Sequence, residues 1–257
     1  MGTKQSNKSS LPFLCRFSVL ETAKLYTHLL VSIPPVLGIG DPLLHHLDLL
    51  KEKLSGGCLK WLCYVSSTSV YGEHGGAFVD ENDELHPTNN ASKLRIQAEE
   101  GWLDVGHSMG LSSLVLRLGG IYGPGRSAVD TLIRQKSESE SQKRRSGRRY
   151  TSRIHICDVC QALEACLRSP SSRRIYNIVD DDPAPREEVF SLAEHMIKTK
   201  RPDLLKELHC TALKGEEGRS SGGKRVCNAR MKKELGIKLV HPSYRTGLLS
   251  IIDGLGK

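Results

Sequence analysis

The sequence predicts an α/β fold organised on a doubly wound parallel sheet, and three observations carry that expectation. Residues 61–72 read as a buried strand of apolar and β-branched residues that breaks into hydroxyls and a turn glycine. Short apolar strands alternate along the chain with amphipathic helical stretches, the pattern of parallel strands joined by crossovers. Glycine and proline gather where strands end. In such a sheet ligands bind outside the carboxyl ends of the strands, which puts Ser67, Thr68 and Ser69 at the mouth of a crevice. Hydroxyls at a strand end also cap turns and helices, so both uses stay open from the residues alone.

In chain order, residues 1–25 are expected to be a tail; Lys4, Lys8, Arg16 and several serines precede the first acid, Glu21, a composition common to transit peptides and disordered tails. The segment 27–33 is a short strand closed by Pro34-Pro35, which cannot continue a central strand. Asp41 at the N-cap and Pro42 at the first helical position open a helix with Leu43, Leu44, Leu47, Leu50 and Leu54 on its apolar face, and Gly56-Gly57 ends it. After the strand at 61–72 comes a polar loop to Pro87. A helix at 91–105 follows, lined by Leu94, Ala98, Trp102 and Val105, and then a strand at 111–118 and a glycine loop at 119–125. Residues 136–150 are charged and serine-rich and are expected to be a mobile basic loop. A helix at 158–167, a strand at 175–179, a helix at 187–200, a loop-rich stretch at 215–223, a basic helix at 230–235 and a last helix at 244–255 complete the chain. The domain boundary is expected near 125, with the sheet domain at 26–125 and a smaller α+β region at 126–257.

Composition narrows the function classes. At 257 residues and 38% hydrophobic content the chain is large enough for one α/β domain with a satellite, and no apolar run reaches membrane-spanning length. The net charge of +8 comes largely from local clusters such as Lys143-Arg144-Arg145-Ser146-Gly147-Arg148-Arg149, and the few aromatics do not interleave with it, which argues against nucleic acid. Eight cysteines without a secretory signal suit free thiols in a reducing compartment, the cytoplasm or, if the N-terminus is a transit peptide, a plastid. Cys157-x-x-Cys160 has no second ligand pair in view and reads as two small apolar residues on a helix.

Four segments together resemble the extended short-chain dehydrogenases of the NAD-dependent epimerase/dehydratase superfamily. They are Val65-Ser66-Ser67-Thr68-Ser69-Val70-Tyr71-Gly72, the helix after Pro87 with Lys93, the strand 114–118, and Gly119-Gly120-Ile121-Tyr122-Gly123-Pro124-Gly125. Residues 153–159 and 175–179 look like segments of that superfamily's second domain, so the resemblance runs from about Thr27 to the C-terminus. It implies a Rossmann-type sheet with a small C-terminal α+β substrate domain and NAD or NADP as cofactor. The implied activity is oxidoreductase or epimerase chemistry on an aldehyde, alcohol or sugar-nucleotide group. A small-molecule substrate and a homodimer would go with it, without membrane or nucleic-acid partners.

Carried over residue by residue, the resemblance makes Ser67, with Thr68 as its neighbour, the hydroxyl that holds the substrate oxygen, and Lys93 the lysine that binds the nicotinamide ribose. Ser32, Pro34, Ser66, Gly120, Ile121 and Tyr122 would line the cofactor with Lys93. Two hallmarks depart. The position four before Lys93, where the superfamily's proton-transferring tyrosine falls, is Asn89; aligned instead through Glu99, Arg95 replaces the lysine and Ala91 the tyrosine. This likens the chain to a plant and bacterial branch in which the tyrosine is also replaced. No strand, glycine turn and helix for the pyrophosphate is legible, and Gly38-Ile39-Gly40 follows two prolines rather than a strand. The expectation is a sheet incomplete at its N-terminus, a chain beginning inside the fold, with weak cofactor binding and weak or no activity. A non-catalytic Rossmann-fold binding or regulatory protein is the alternative. A third reading takes Gly106-His107-Ser108-Met109-Gly110 as the nucleophile elbow of a serine hydrolase, although that elbow needs a strand before the serine and a helix after it.

Overall fold

A computed structural model describes residues 22–134, 150–168, 172–205 and 223–255. Among these the strands are β1 (His28–Val31), β2 (Trp61–Ser67), β3 (Phe78–Val79), β4 (Ser112–Leu118), β5 (Gly120–Tyr122), β6 (Arg153–His155), β7 (Arg174–Ile178) and β8 (Arg225–Val226). The helices are α1 (Leu47–Leu54), α2 (Asn90–Ser108), α3 (Ala128–Ile133), α4 (Ile156–Arg168), α5 (Arg186–Lys200), α6 (Ala229–Leu235) and α7 (Tyr244–Asp253). Of the tail expected at 1–25 only 22–25 are described, of the basic loop at 136–150 only Tyr150, and of the loop at 215–223 only Gly223; the rest lie outside the described residues. No helix among the described residues is long and apolar enough to cross a membrane.

The main sheet has the order β1-β2-β4-β7. β1 and β2 are parallel, with Val31 opposite Tyr64. The Ser112 amide donates to the Lys60 carbonyl where β2 and β4 begin, and the Gly119 amide donates to the Ile178 carbonyl where β4 and β7 end. β2, β4 and β7 therefore run the same way and finish at one edge, the α/β arrangement that the sequence predicts.

The chain divides into two compact units, Met1–Val65 with Leu94–Val115 and Pro170–Arg174, and Ser66–Lys93 with Leu116–Ser169 and Ile175–Lys257. In the first, Leu50, Leu54, Leu62, Tyr64, Trp102 and Leu114 are fully buried. Asp41 caps as expected: one carboxylate oxygen accepts the amides of Leu43 (2.9 Å) and Leu44 (3.1 Å), and the other accepts the Trp102 indole N–H (2.8 Å). The helix it opens starts as a 3-10 turn, Leu44–His46, before α1. That tighter winding rotates the apolar stripe, so Leu50 and Leu54 are buried while Leu47 is 39% exposed.

In the second unit α3, α5 and α7 pack a core that includes Val129, Phe190, Ala193, Ile197, Tyr244, Leu248 and Ile252. The stretch expected as a loop after residue 119 contains β5, which pairs in parallel with β6. The polar loop after Gly72 likewise contains β3, which pairs in parallel with β8. Strands of two or three residues carry no alternation for sequence to reveal, and distant partners make them.

Candidate functional site

Ser67 is the last residue of β2, and its Oγ accepts the Ser69 amide at 3.2 Å, capping a 3-10 turn over Thr68–Tyr71. The hydroxyl keeps its own proton for a ligand. Ser66 and Thr68 are buried, whereas Ser67 is half-buried. The turn ends at Gly72 with φ +68°, where a Cβ would lie 1.5 Å from the His86 carbonyl oxygen, so only glycine fits.

A buried polar network ties this turn to the neighbouring strands. Arg117 on β4 donates to the Tyr71 hydroxyl (3.0 Å) and lies over its ring, 4.9 Å from the centroid. Tyr71 donates to Asn177 Oδ1 on β7 (2.8 Å), and the Asn177 amide donates to Glu81 (2.7 Å) while its side-chain nitrogen donates to the Cys227 carbonyl (3.1 Å). Arg230 pairs with Glu81 at 3.6 Å, and the Lys224 ammonium donates to the Gly72 carbonyl at 2.8 Å. Burial pushes Tyr71 up to about 12 against the pull of Arg117, so the phenol stays protonated at neutral pH and acts as a fixed donor. Burial also raises the Glu81 carboxyl, against the Asn177 amide and Arg230. Sequence reasoning missed these residues. The available signal was a charge inside the apolar run 114–118 and an amide inside 175–179, polar groups that a buried strand tolerates only with partners.

Lys93 is exposed in the first turn of α2, its amide on the Asn89 carbonyl at 3.1 Å. Asn89 Oδ1 accepts the Ser92 amide at 2.9 Å, so the side chain standing at the tyrosine position is engaged in capping the helix. In the other register, Ala91 has no titratable group, and Arg95 acts on Tyr64, which burial pushes up to about 12 with Arg95 opposing and Asp41 and Glu99 adding. Gly120 is exposed, Ile121 partly so, and Tyr122 buries its ring and donates to the Ser243 carbonyl at 3.3 Å. Ser66–Thr68 and Gly120–Tyr122 thus follow neighbouring strands at one edge, and Lys93 belongs to the same unit. Ser32 and Pro34 are exposed just past β1, in the first unit.

Gly38 and Gly40, both at φ +82°, form a tight turn in which Val36 and Gly40 bridge. The helix-start amides that a pyrophosphate would need are held by Asp41, so this turn does not fit a phosphate. Ser108 ends α2, its Oγ donating to the Val105 carbonyl at 3.1 Å, and β4 follows after Gly110 at φ +66°. A helix before and a strand after is the reverse of a nucleophile elbow. Cys157 and Cys160 sit on the exposed face of α4 and are free, not packed as small apolar residues.

Residues 45–179 match the NAD dependent epimerase/dehydratase family. Among solved structures, a functionally unknown conserved protein from Silicibacter pomeroyi DSS is 36% identical with a TM-score of 0.66, over 88% of this chain and 77% of that one. A putative NAD-dependent epimerase/dehydratase from Methylobacillus flagellatus is 21% identical with a TM-score of 0.63, over 94% and 82%. The dTDP-glucose 4,6-dehydratase of Bacillus anthracis, solved in complex with NAD, is 18% identical with a TM-score of 0.68, over 95% and 76%. No curated protein matches the sequence.

Proposed function

The chain belongs to the NAD dependent epimerase/dehydratase family, and from that premise we propose that it binds NAD or NADP and acts, slowly, as an oxidoreductase or epimerase on an aldehyde, alcohol or sugar-nucleotide group. The observation that carries this reading is the braced turn after β2. Ser67 is presented with a free hydroxyl proton beside the Gly119-Gly120 end of β4, at the edge where open α/β sheets take ligands. When bound, the nicotinamide supplies the hydride acceptor. Ser67 Oγ orients the substrate oxygen, with Thr68 behind it; the Lys93 ammonium holds the nicotinamide ribose; Ser66, Gly120, Ile121 and Tyr122 line the cofactor. The residues fit the nicotinamide half of a dinucleotide. Among the described residues, the helix-start amides after the Gly38-Ile39-Gly40 turn, those of Leu43 and Leu44, are taken by Asp41, which supports weak binding.

Slow turnover follows from the missing acid. Asn89 has no acidic proton at neutral pH and caps its helix, while Tyr64 and Tyr71 are pushed up to about 12. Proton transfer then falls to solvent, and losing a positioned acid lowers a rate about 10²–10⁴-fold. The test is nicotinamide absorbance over a panel of alcohols, aldehydes and nucleotide sugars. Ser67→Ala is expected to lower turnover, Lys93→Met to weaken cofactor binding chiefly, and Asn89→Tyr to raise turnover if Lys93 sets the register. Turnover untouched by Ser67→Ala overturns the assignment. The capping role of Asn89 favours a second reading, a binding protein without hydride chemistry; cofactor affinity in calorimetry with no turnover on any substrate would select it.

A further inference from the structure

The geometry points to a metal site formed by His155, Cys157 and His241, of the size and donor set that suit zinc. His155 ends β6, Cys157 stands in the first turn of α4, and His241 lies in the segment before α7. One nitrogen of each imidazole and the Cys157 sulfur lie within 4.8 Å of one another. Around a tetrahedral zinc, bond lengths of about 2.0–2.1 Å to nitrogen and 2.3 Å to sulfur place ligand atoms about 3.4–3.6 Å apart. Cys157 is exposed, which gives its side chain room to rotate toward that spacing.

Packing alone does not account for the cluster. The His155 ring sits edge-on to Tyr122 (centroids 5.2 Å) and tilted against His241 (4.0 Å), and such a packed ring would need nothing more if both its nitrogens were satisfied. They are not. His155 is 97% buried, its Nδ1 accepts the Cys157 amide at a long 3.2 Å, and its Nε2 has no partner among the described residues. An orphaned buried nitrogen costs about 1–3 kcal/mol. A metal on Nε2 supplies the partner. The imidazole proton then rests on Nδ1, and the Cys157 amide, one of the first-turn groups of a helix that water ordinarily satisfies, gives up its long contact. The third ligand is held from behind: the Asp158 carboxylate accepts the backbone amides of Val240 (2.6 Å) and His241 (3.0 Å). Thiolate and imidazole donors select zinc among the abundant divalent ions, and three protein ligands leave a fourth position open toward the solvent that reaches Cys157.

Binding forms two metal–nitrogen bonds and one metal–sulfur bond and sends the Cys157 thiol proton to solvent; nothing is oxidised. The full chain, stripped by chelator, is titrated with Zn²⁺ against a chromophoric chelator and with Co²⁺ as a visible probe, in the absence of nicotinamide cofactor. The result is therefore independent of the function proposed above. One zinc per chain, about one proton released, and a thiolate-to-cobalt charge-transfer band are expected. Cys157→Ser, which alters an exposed residue, and His241→Ala should each weaken zinc binding by more than about tenfold, with Cys157→Ser abolishing the band. Cys160→Ser, one turn along α4, should change neither. The proposal is overturned if zinc fails to compete with the chelator, if Cys157→Ser and His241→Ala bind as tightly as the wild type while circular dichroism shows them folded, or if Cys160→Ser removes the band.

Discussion

Tyr71 is the residue on which the presentation of Ser67 depends. Its hydroxyl answers Arg117 on one side and Asn177 on the other, and both partners are buried. Tyr71→Phe leaves each of them one bond short, so urea denaturation should show a loss of about 1–3 kcal/mol with an unchanged slope. Asp180 supplies a pH dependence. Burial pushes its carboxyl from 3.8 up to about 8, adjacent Asp181 and Asp182 add, and Arg153 and the Asp182 amide oppose. The folded chain therefore keeps a proton that the unfolded chain releases, so this group's contribution is full below pH 3.8 and is lost as pH rises through about 8. Asp180→Asn, neutral throughout, should lose less stability than the wild type between about pH 5 and pH 8. Parallel stability–pH curves for the two proteins would count against a buried, protonated Asp180.

Among the elements, the start of the first helix makes a prediction that separates two roles of one carboxylate. Asp41→Ala removes both the cap and the partner of the Trp102 indole and should cost about 2–4 kcal/mol, about 1 of it the cap. Asp41→Asn keeps an oxygen for the cap and should recover that share alone. The capping pair Asp41-Pro42 was legible because it is local chemistry, as were the long strands and helices whose apolar periodicity spans several residues. The turn after β2 was legible too, as hydroxyls closing an apolar run. β3, β5, β6 and β8 were not, since each is two or three residues long and made by a partner far along the chain. Half of the site shares that limit. Ser67 and Lys93 stand in recognisable motifs, whereas Arg117, Asn177 and Lys224 converge on the turn from 46 to 152 residues away, and only the fold brings them there.

For the whole molecule, two buried thiols give a reading of each unit. Cys63 belongs to the first and Cys166 to the second, and both are fully buried. Burial pushes the Cys166 thiol up to about 12, which leaves almost no thiolate at neutral pH. Alkylation mapped by peptide mass should label Cys58, Cys157 and Cys160 rapidly in the native chain freed of metal. Cys63 and Cys166 should react only on opening. Labelling of either at the rate of Cys58 would count against its burial.

The clamp on the turn after β2 also sets an order of events during synthesis. Lys224, whose ammonium holds the Gly72 carbonyl, is 152 residues downstream of it. At about 5–20 residues per second the ribosome delivers that lysine about 8–30 s after Gly72. Through that interval the Ser67 hydroxyl is already made but unheld, and Arg117, Asn177 and finally β8 arrive in turn to fix it. A nascent chain stalled before Lys224 should therefore have its main-sheet strands and still lack the clamp on the turn that presents Ser67, which makes this site one of the last parts of the protein to exist.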